Sequence, residues 1–300
     1  MEVREIRIRS ILTRTGGFLR EGFSHTINPY SGCAYGGALC GGPCYAQHNT
    51  WVRQGRPWGT FLDVKVNAAQ AYREQADRER AWAARRGGFR IYMSSVTDPY
   101  VPQERRYGIT RALLAAMLDS PPDRLAVQTH TPGPLRDVDL LRALREHVPD
   151  LCVNISVESD RESLGPGFPP HAAPIAARIA ALAALRGAGI PCVAVVAPML
   201  PIERPAEFAR RLGEAADAVV LDHFLIGDGS PGGLRTRHTG FPLRLEASGW
   251  PEWSTLERFN EVCDIFRKEL GPDRVGVSCA GFNAPGPGAT AAAPAAPRSR

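Results

Sequence analysis

A chain of 300 residues can bury one large core, and an α/β barrel takes about 250, so length points to a single catalytic domain with a tail. The 36 Lys and Arg against 31 Asp and Glu leave a net charge of +5, which is too mild to mark a nucleic-acid or membrane-surface protein and excludes neither contact. No apolar run approaches the roughly 18 to 20 residues that span a bilayer, the N-terminus alternates charge where a signal peptide is apolar, and seven cysteines with three clustered do not resemble a secreted disulfide framework, so the cytoplasm is the expected location.

Residues 1–25 read as an N-terminal extension. A strand over His25–Tyr30 follows, then a glycine-rich stretch, and from there apolar runs and helical patterns alternate, which is the signature of repeated βα units on a parallel sheet. The expected elements are a helix over Asp63–Glu79, a strand over Phe89–Ser95, a helix over Gln103–Leu118, a strand over Arg124–Thr129 and a helix over Leu135–His147. Next come a strand over Cys152–Val157, an alanine-rich helix over Ala172–Gly187, a strand over Pro191–Pro198 and a helix over Pro205–Ala215. A strand over Ala218–Ile226 and a helix over Ser254–Leu270 complete six units. Six units make a partial (β/α)6 barrel or an open curved sheet across residues 26–282, with ligands at the C-terminal ends of the strands. Residues 283–300, rich in Ala, Pro and Gly, are too poor in large apolar groups to offset ordering entropy and read as a disordered tail.

Cys33, Cys40 and Cys44 crowd into one loop at the end of the first of these strands, among Gly32, Gly36, Gly37, Gly41 and Gly42. Thiolates suit iron-sulfur clusters and zinc, and glycines let a short backbone turn its side chains onto one centre. Three cysteines on a [4Fe-4S] cluster leave one iron open to a small molecule, whereas a zinc site formed with a histidine such as His48 would be closed and structural. Ser94, Ser95, Thr97 and Asp98 end the second strand, where barrel side chains face a ligand; Thr97-Asp98-Pro99 also suits a helix cap and turn. Asn154, Ser156 and Glu158 alternate along the fourth strand and share a face, so they need either a polar ligand or an internal network. Asp222 and His223 are candidates for the far side of the barrel mouth, although a lone histidine in a strand is more often a core residue.

Asn28 to Cys33, Cys44-Tyr45-Ala46, and Met93 to Tyr100 with Pro102 together resemble the radical S-adenosylmethionine superfamily, and more narrowly its branch related to spore photoproduct lyase, over about residues 10 to 226. The resemblance implies the partial barrel, a [4Fe-4S] cluster on Cys33, Cys40 and Cys44 whose open iron takes S-adenosylmethionine, and reductive cleavage to a 5′-deoxyadenosyl radical that abstracts hydrogen from a substrate. It also implies a one-electron reductant such as flavodoxin or ferredoxin. Ser94 and Ser95 would receive the amino end of the cofactor, Asn154 and Ser156 its ribose and carboxylate, Tyr45 would cover the adenine, and Lys65 or, more weakly, Arg178 would approach the carboxylate. The superfamily spacing is usually C-x3-C-x2-C and this chain has C-x6-C-x3-C, so Gly37 and the Gly41-Gly42 pair are expected to bulge outward. Cys279 matches no hydrogen-donor motif and reads as a packed thiol.

The substrate is open. A DNA lesion would need a basic groove, and the nearest features are Arg4, Arg7, Arg9, Arg14 and Arg20, with Arg53 and Arg56 beside Trp51 and Trp58. An electron-transfer protein that carries a cluster without radical chemistry, and a zinc-stabilised interaction protein, are the other readings.

Overall fold

The computed structural model describes residues 1–289. Its strands are β1 (Glu2–Ile6), β2 (Leu12–Arg14), β3 (His25–Ile27), β4 (Tyr30–Gly32), β5 (Phe61–Lys65), β6 (Arg90–Met93), β7 (Arg124–Thr129), β8 (Asp150–Ser156), β9 (Cys192–Val196), β10 (Ala218–Leu221) and β11 (Val275–Val277). Eight of them form one sheet in the order β11-β10-β9-β8-β7-β6-β3-β2, parallel from β3 through β11 with β2 antiparallel at its edge. The expected partial barrel of βα units is therefore present, extended by β11 and β2.

Period-two alternation sorts the strand residues into two cores. Ile91, Met93, Leu125, Val127, Leu151, Val153, Ile155, Ala194, Val196, Val219 and Leu221 face the outer helices, among them Ala68–Ala83, Ile109–Asp119, Val138–His147, Ile175–Gly187, Pro205–Ala215 and Leu256–Leu270. Tyr92, Ala126, Cys152, Val193, Val195 and Val220 face inward and close on Phe282. Burial on both faces is why these strands read as nearly continuous apolar runs.

Three differences from the expected elements bear on the site. Phe61–Lys65 is a strand and not the start of a helix, because it pairs with both β1 and β4 in a three-stranded sheet; the helix begins at Ala68. Asn67 ends the strand by clamping Ile8, accepting from its N–H at 2.9 Å and donating to its carbonyl at 2.8 Å. The helix expected over Gln103–Leu118 breaks at Gly108, whose φ is +62°. The strand expected to reach Ile226 stops at Leu221, since His223 accepts from Leu225 N–H at its Nδ1 and caps the short helix Phe224–Gly227.

Residues 18–22 meet residues 282–284 beside β7. Phe18 packs edge-on against Phe282 at 5.6 Å, Asn283 Nδ2 donates to Phe18 O at 2.6 Å, and Arg124 Nη1 donates to Asn283 O at 2.9 Å. The tail expected from residue 283 begins instead inside the helix Ser278–Asn283, and Gly286 N–H donates to Asp150 Oδ1 at 2.8 Å. Residues 290–300 of that expected tail lie outside the described residues.

Candidate active site

A cavity of about 500 Å3 opens at the C-terminal ends of the strands. Cys33, Cys40 and Cys44 all line it, together with Tyr45, Ser94, Ser95, Thr97, Asp98, Gln128, His130, Ser156 and Asp222.

The glycines of the cysteine loop permit close approach. A side chain on Gly41 would overlap the Gly36 carbonyl, and one on Gly36 would overlap the backbone of Gly59. Gly42 lies against the Phe241 ring, where a Cβ would come within 2.9 Å. The extra residues are thus accommodated differently from the outward bulge expected: the Gly41-Gly42 pair is packed inward, and only Gly37 faces open space. Burial pushes the Cys33 thiol up to about 12 and raises those of Cys40 and Cys44, and the thiols of Cys33 and Cys40 are raised further by their neighbours' negative charge. Metal binding to such thiols must release their protons. Among the described residues no three His, Cys, Asp or Glu side chains converge on a point that holds a single metal ion. In a cubane each cysteine sulfur binds a different iron, so its ligands stand farther apart than those around one ion. Three thiols from one loop, lining one cavity, fit a three-cysteine cluster in donor type and number. His48 is not among the cavity residues; its turn packs against Leu234–Arg237.

The opposite wall is the end of β6. Ser94 has a φ of +76°, unusual for a residue with a Cβ, and its hydroxyl is buried with no partner among the described residues. Tyr45 extends from beside the last cysteine and donates its hydroxyl to the Ser95 carbonyl, so its ring spans the mouth. Thr97 Oγ1 donates to Gly32 O at 2.6 Å, and Asn28 Oδ1 accepts from Val96 N at 2.9 Å, which binds this wall to the start of the cysteine loop.

The floor is a hydrogen-bonded row across three strands. Tyr92 Oη donates to Gln128 Oε1 at 2.9 Å, and Gln128 Nε2 donates to Ser156 Oγ at 2.8 Å. Asn154 lies one step below this row and lines a second cavity at the base of the barrel, so β8 divides its polar face between two spaces. Asn154 is therefore not brought to the cysteines.

Acidic and basic groups tie the strand ends together. Asp98 accepts from Thr129 Oγ1 at 2.9 Å and His130 N at 2.7 Å. His130 sits between two carboxylates, Nδ1 at 3.5 Å from Asp98 Oδ2 and Nε2 at 3.5 Å from Glu158 Oε1. Glu158 pairs with Arg178 Nη1 at 2.6 Å, and the same nitrogen donates to Ser156 O at 2.6 Å. Burial alone would raise the Glu158 carboxyl, but Arg178, His171 and His130 outweigh it and hold it below the ordinary carboxylate range. Arg178 is thus spent on Glu158 and is not presented to the cavity, contrary to the expectation for it.

Lys65 is also displaced from its expected role. It lies on β5 outside the cavity, donates Nζ to Asn28 O at 2.7 Å, and is lowered to about 8 by burial. It supports the loop at Asn28. His223 is saturated, Nε2 to Trp253 O at 3.0 Å and Nδ1 from Leu225 N–H at 3.2 Å, as a core histidine would be. Cys279 lines neither cavity and contacts Phe18 O. Arg56 grips Asp63 with both amino groups and lies over Phe61, so it is not free for a basic-aromatic face, while Trp58 packs on Gly36 and lines the cavity. His130, Gln128 and Tyr92 escaped the sequence reading; the local signal was a polar Gln128 in the middle of a largely apolar strand. No helix among the described residues is long and apolar enough to cross a membrane.

No family model matches the chain. It is 29% identical over 181 residues to an uncharacterized protein of Methanocaldococcus jannaschii, covering 60% of this chain and 62% of the relative. It is 25% identical over 246 residues to an uncharacterized protein of Mycobacterium tuberculosis, covering 82% of this chain and 67% of the relative. The chain thus spans about two thirds or less of these relatives' length. Among solved structures, a variant of spore photoproduct lyase superposes with a TM-score of 0.61 at 16% identity, over 92% of this chain and 81% of that one. Another variant, with bound AdoMet and dinucleoside spore photoproduct, gives 0.60 at 18% identity over 92% and 81%. The chain has a spore photoproduct lyase-like fold, a partial barrel of βα units.

Proposed function

We propose that this chain is a radical S-adenosylmethionine enzyme. The observation that carries the reading is the opening of Cys33, Cys40 and Cys44 into one cavity at the C-terminal strand ends, opposite Ser94 and Ser95. When bound, a three-cysteine [4Fe-4S] cluster supplies the electron for reductive cleavage of S-adenosylmethionine to a 5′-deoxyadenosyl radical.

The chain's own residues bind, orient and exclude water. The unpartnered Ser94 hydroxyl, set by a strained backbone, is placed to receive a polar group of the cofactor, as is Ser156 through the capacity its bond from Gln128 leaves. Tyr45, anchored on Ser95 O, lays its ring over the mouth against a flat ligand. Val195, Ala197, Pro198, Phe224 and Phe282 supply an apolar wall that keeps water from a reactive intermediate. Asn154 and Lys65 act indirectly in this scheme, from the base of the barrel and from behind Asn28.

The activity requires a one-electron reductant of the flavodoxin or ferredoxin kind, which fits a cytoplasmic protein. A lyase of the photoproduct type, acting on a DNA lesion, is supported by fold likeness to spore photoproduct lyase alone, since Arg56 is paired with Asp63. The test is chromatographic detection of 5′-deoxyadenosine from anaerobically reconstituted protein, dithionite and S-adenosylmethionine. The product should require dithionite and all three cysteines; intact cofactor over a fully loaded cluster would refute the assignment.

A further inference from the structure

Residues 22–62 and 229–245 contain no Asp or Glu, although they carry Arg53, Arg56, Arg235, Arg237 and Arg244. The fold brings parts of the two stretches together: the helix Leu234–Arg237 packs against the turn Tyr45–His48, which leads into the helix Thr50–Arg53. His48 is lowered by burial and by the charges of Arg235, Arg53 and His238, so these cations are gathered around it. Asp228, which precedes the second stretch, is 1% exposed and accepts from the N–H groups of Ser230 and Thr236, so its charge is used inside the loop. On this face Trp51 is 89% exposed and Leu234 51%. A single exposed apolar side chain is ordinary, but Trp and Leu set among arginines have the composition of a protein-binding anchor. The face is tied to the cysteine loop, since Arg53 Nη1 donates to Gln47 O at 3.2 Å and Gln47 Nε2 donates to Gly42 O at 2.9 Å, between Cys40 and Cys44.

We propose that Trp51, Arg53, Leu234, Arg237 and His238 form the docking surface for an acidic one-electron donor protein. This deepens the radical-enzyme reading and rests on it for the need of an electron. Attraction between a face without carboxylates and an acidic partner speeds encounter and fixes orientation, while Trp51 and Leu234 supply apolar anchors. The step moves one electron: the donor's iron-sulfur or flavin centre is oxidised by one, the bound cluster is reduced by one, and no bond forms or breaks. Electron transfer needs a short path, and the contacts from Arg53 through Gln47 to Gly42 run from this face to the cysteine turn. The exposed Leu234 favours a protein over a nucleic acid, whose phosphates and bases are held by cations and aromatic rings.

The experiment is calorimetric titration of the full-length, reconstituted protein with an acidic plant-type [2Fe-2S] ferredoxin and, separately, with an acidic flavodoxin. At least one should bind, with affinity falling about tenfold between about 50 and about 300 mM salt. Trp51→Ala and Arg237→Glu should each weaken that binding about tenfold. Arg211→Glu, at an exposed position of the outer helix Pro205–Ala215, changes the net charge as much as Arg237→Glu and should stay within about twofold of the unmodified protein. With dithionite, Trp51→Ala and Arg237→Glu should form 5′-deoxyadenosine as the unmodified protein does; with limiting donor protein as the sole electron source they should be about tenfold slower. Binding by neither donor, an equal loss from Arg211→Glu, or tighter binding of a single-stranded oligonucleotide that Trp51→Ala abolishes would overturn the surface. Donor binding that depends on Trp51 and Arg237, in a protein that leaves S-adenosylmethionine intact with dithionite, would uphold the surface and remove the enzyme reading.

Discussion

Replacing Arg178 by Met should destabilise the protein by about 3 to 5 kcal/mol, the cost of leaving a buried carboxylate without its partner. Both members of the pair are out of water, Arg178 at 0% and Glu158 at 1% exposure, so solvent does not screen the loss. The same nitrogen that pairs with Glu158 also donates to Ser156 O at 2.6 Å, and that bond is lost with it. With a urea slope of about 1 to 3 kcal/mol/M, the midpoint should fall by roughly 1 to 5 M, which is easily read by circular dichroism. The double variant Arg178→Met with Glu158→Gln should recover most of the loss, because removing both ions removes the uncompensated charge. The pH dependence has a definite sign. The folded Glu158 carboxyl lies below its ordinary value, so it contributes stability that is present above the unfolded value of about 4.3 and lost as pH falls through the folded one. Without Arg178 burial dominates and the carboxyl takes up its proton at higher pH, so the gap between variant and unmodified protein should narrow on acidification. A loss below about 1 kcal/mol at pH 7, or a double variant no better than the single one, would refute the argument.

Three further outcomes are expected. Gly41→Ala should displace the cysteine loop from Gly36 and reduce iron retained on reconstitution to about half or less with the barrel still folded; full iron by elemental analysis would show that the loop yields. Lys65→Met should remove a titration from the stability curve. The folded ammonium, lowered to about 8, contributes stability that is present above the unfolded value of about 10.4 and lost as pH falls through 8, so the unmodified protein should gain up to about 3 kcal/mol on the variant between those values in urea melts, and parallel curves would contradict this. Ser94→Gly should relieve the +76° φ and raise stability by about 1 kcal/mol while weakening S-adenosylmethionine binding by calorimetry; unchanged affinity would take Ser94 out of the site.

What was legible in the sequence depended on how local its cause was. Strand Arg124–Thr129 and helix Pro205–Ala215 were read to the residue because strands buried on both faces are uninterrupted apolar runs and Pro205 marks a helix start. Glu2–Ile6 and Phe61–Lys65 were not, since their strand character comes from pairing with each other across 59 residues, and the charged positions of Asp63–Lys65 look helical in isolation. The same division runs through the site. The three cysteines, Ser94, Ser95 and Tyr45 stand in contiguous motifs. The Tyr92–Gln128–Ser156 floor and the His130 bridge exist only once the register of β6, β7 and β8 is known. For Arg178 the resemblance implies, weakly, an approach to the cofactor carboxylate and the usual fate of a helix cation is the surface, whereas this one turns inward to a glutamate 20 residues earlier.

The most direct test of the account is the electron paramagnetic resonance spectrum of anaerobically reconstituted, dithionite-reduced protein with and without S-adenosylmethionine. A reduced [4Fe-4S] signal that changes on addition of the cofactor is the predicted result, because three cysteines leave one iron open to it. A signal that ignores S-adenosylmethionine, or stoichiometric zinc with no cluster, would contradict the central claim.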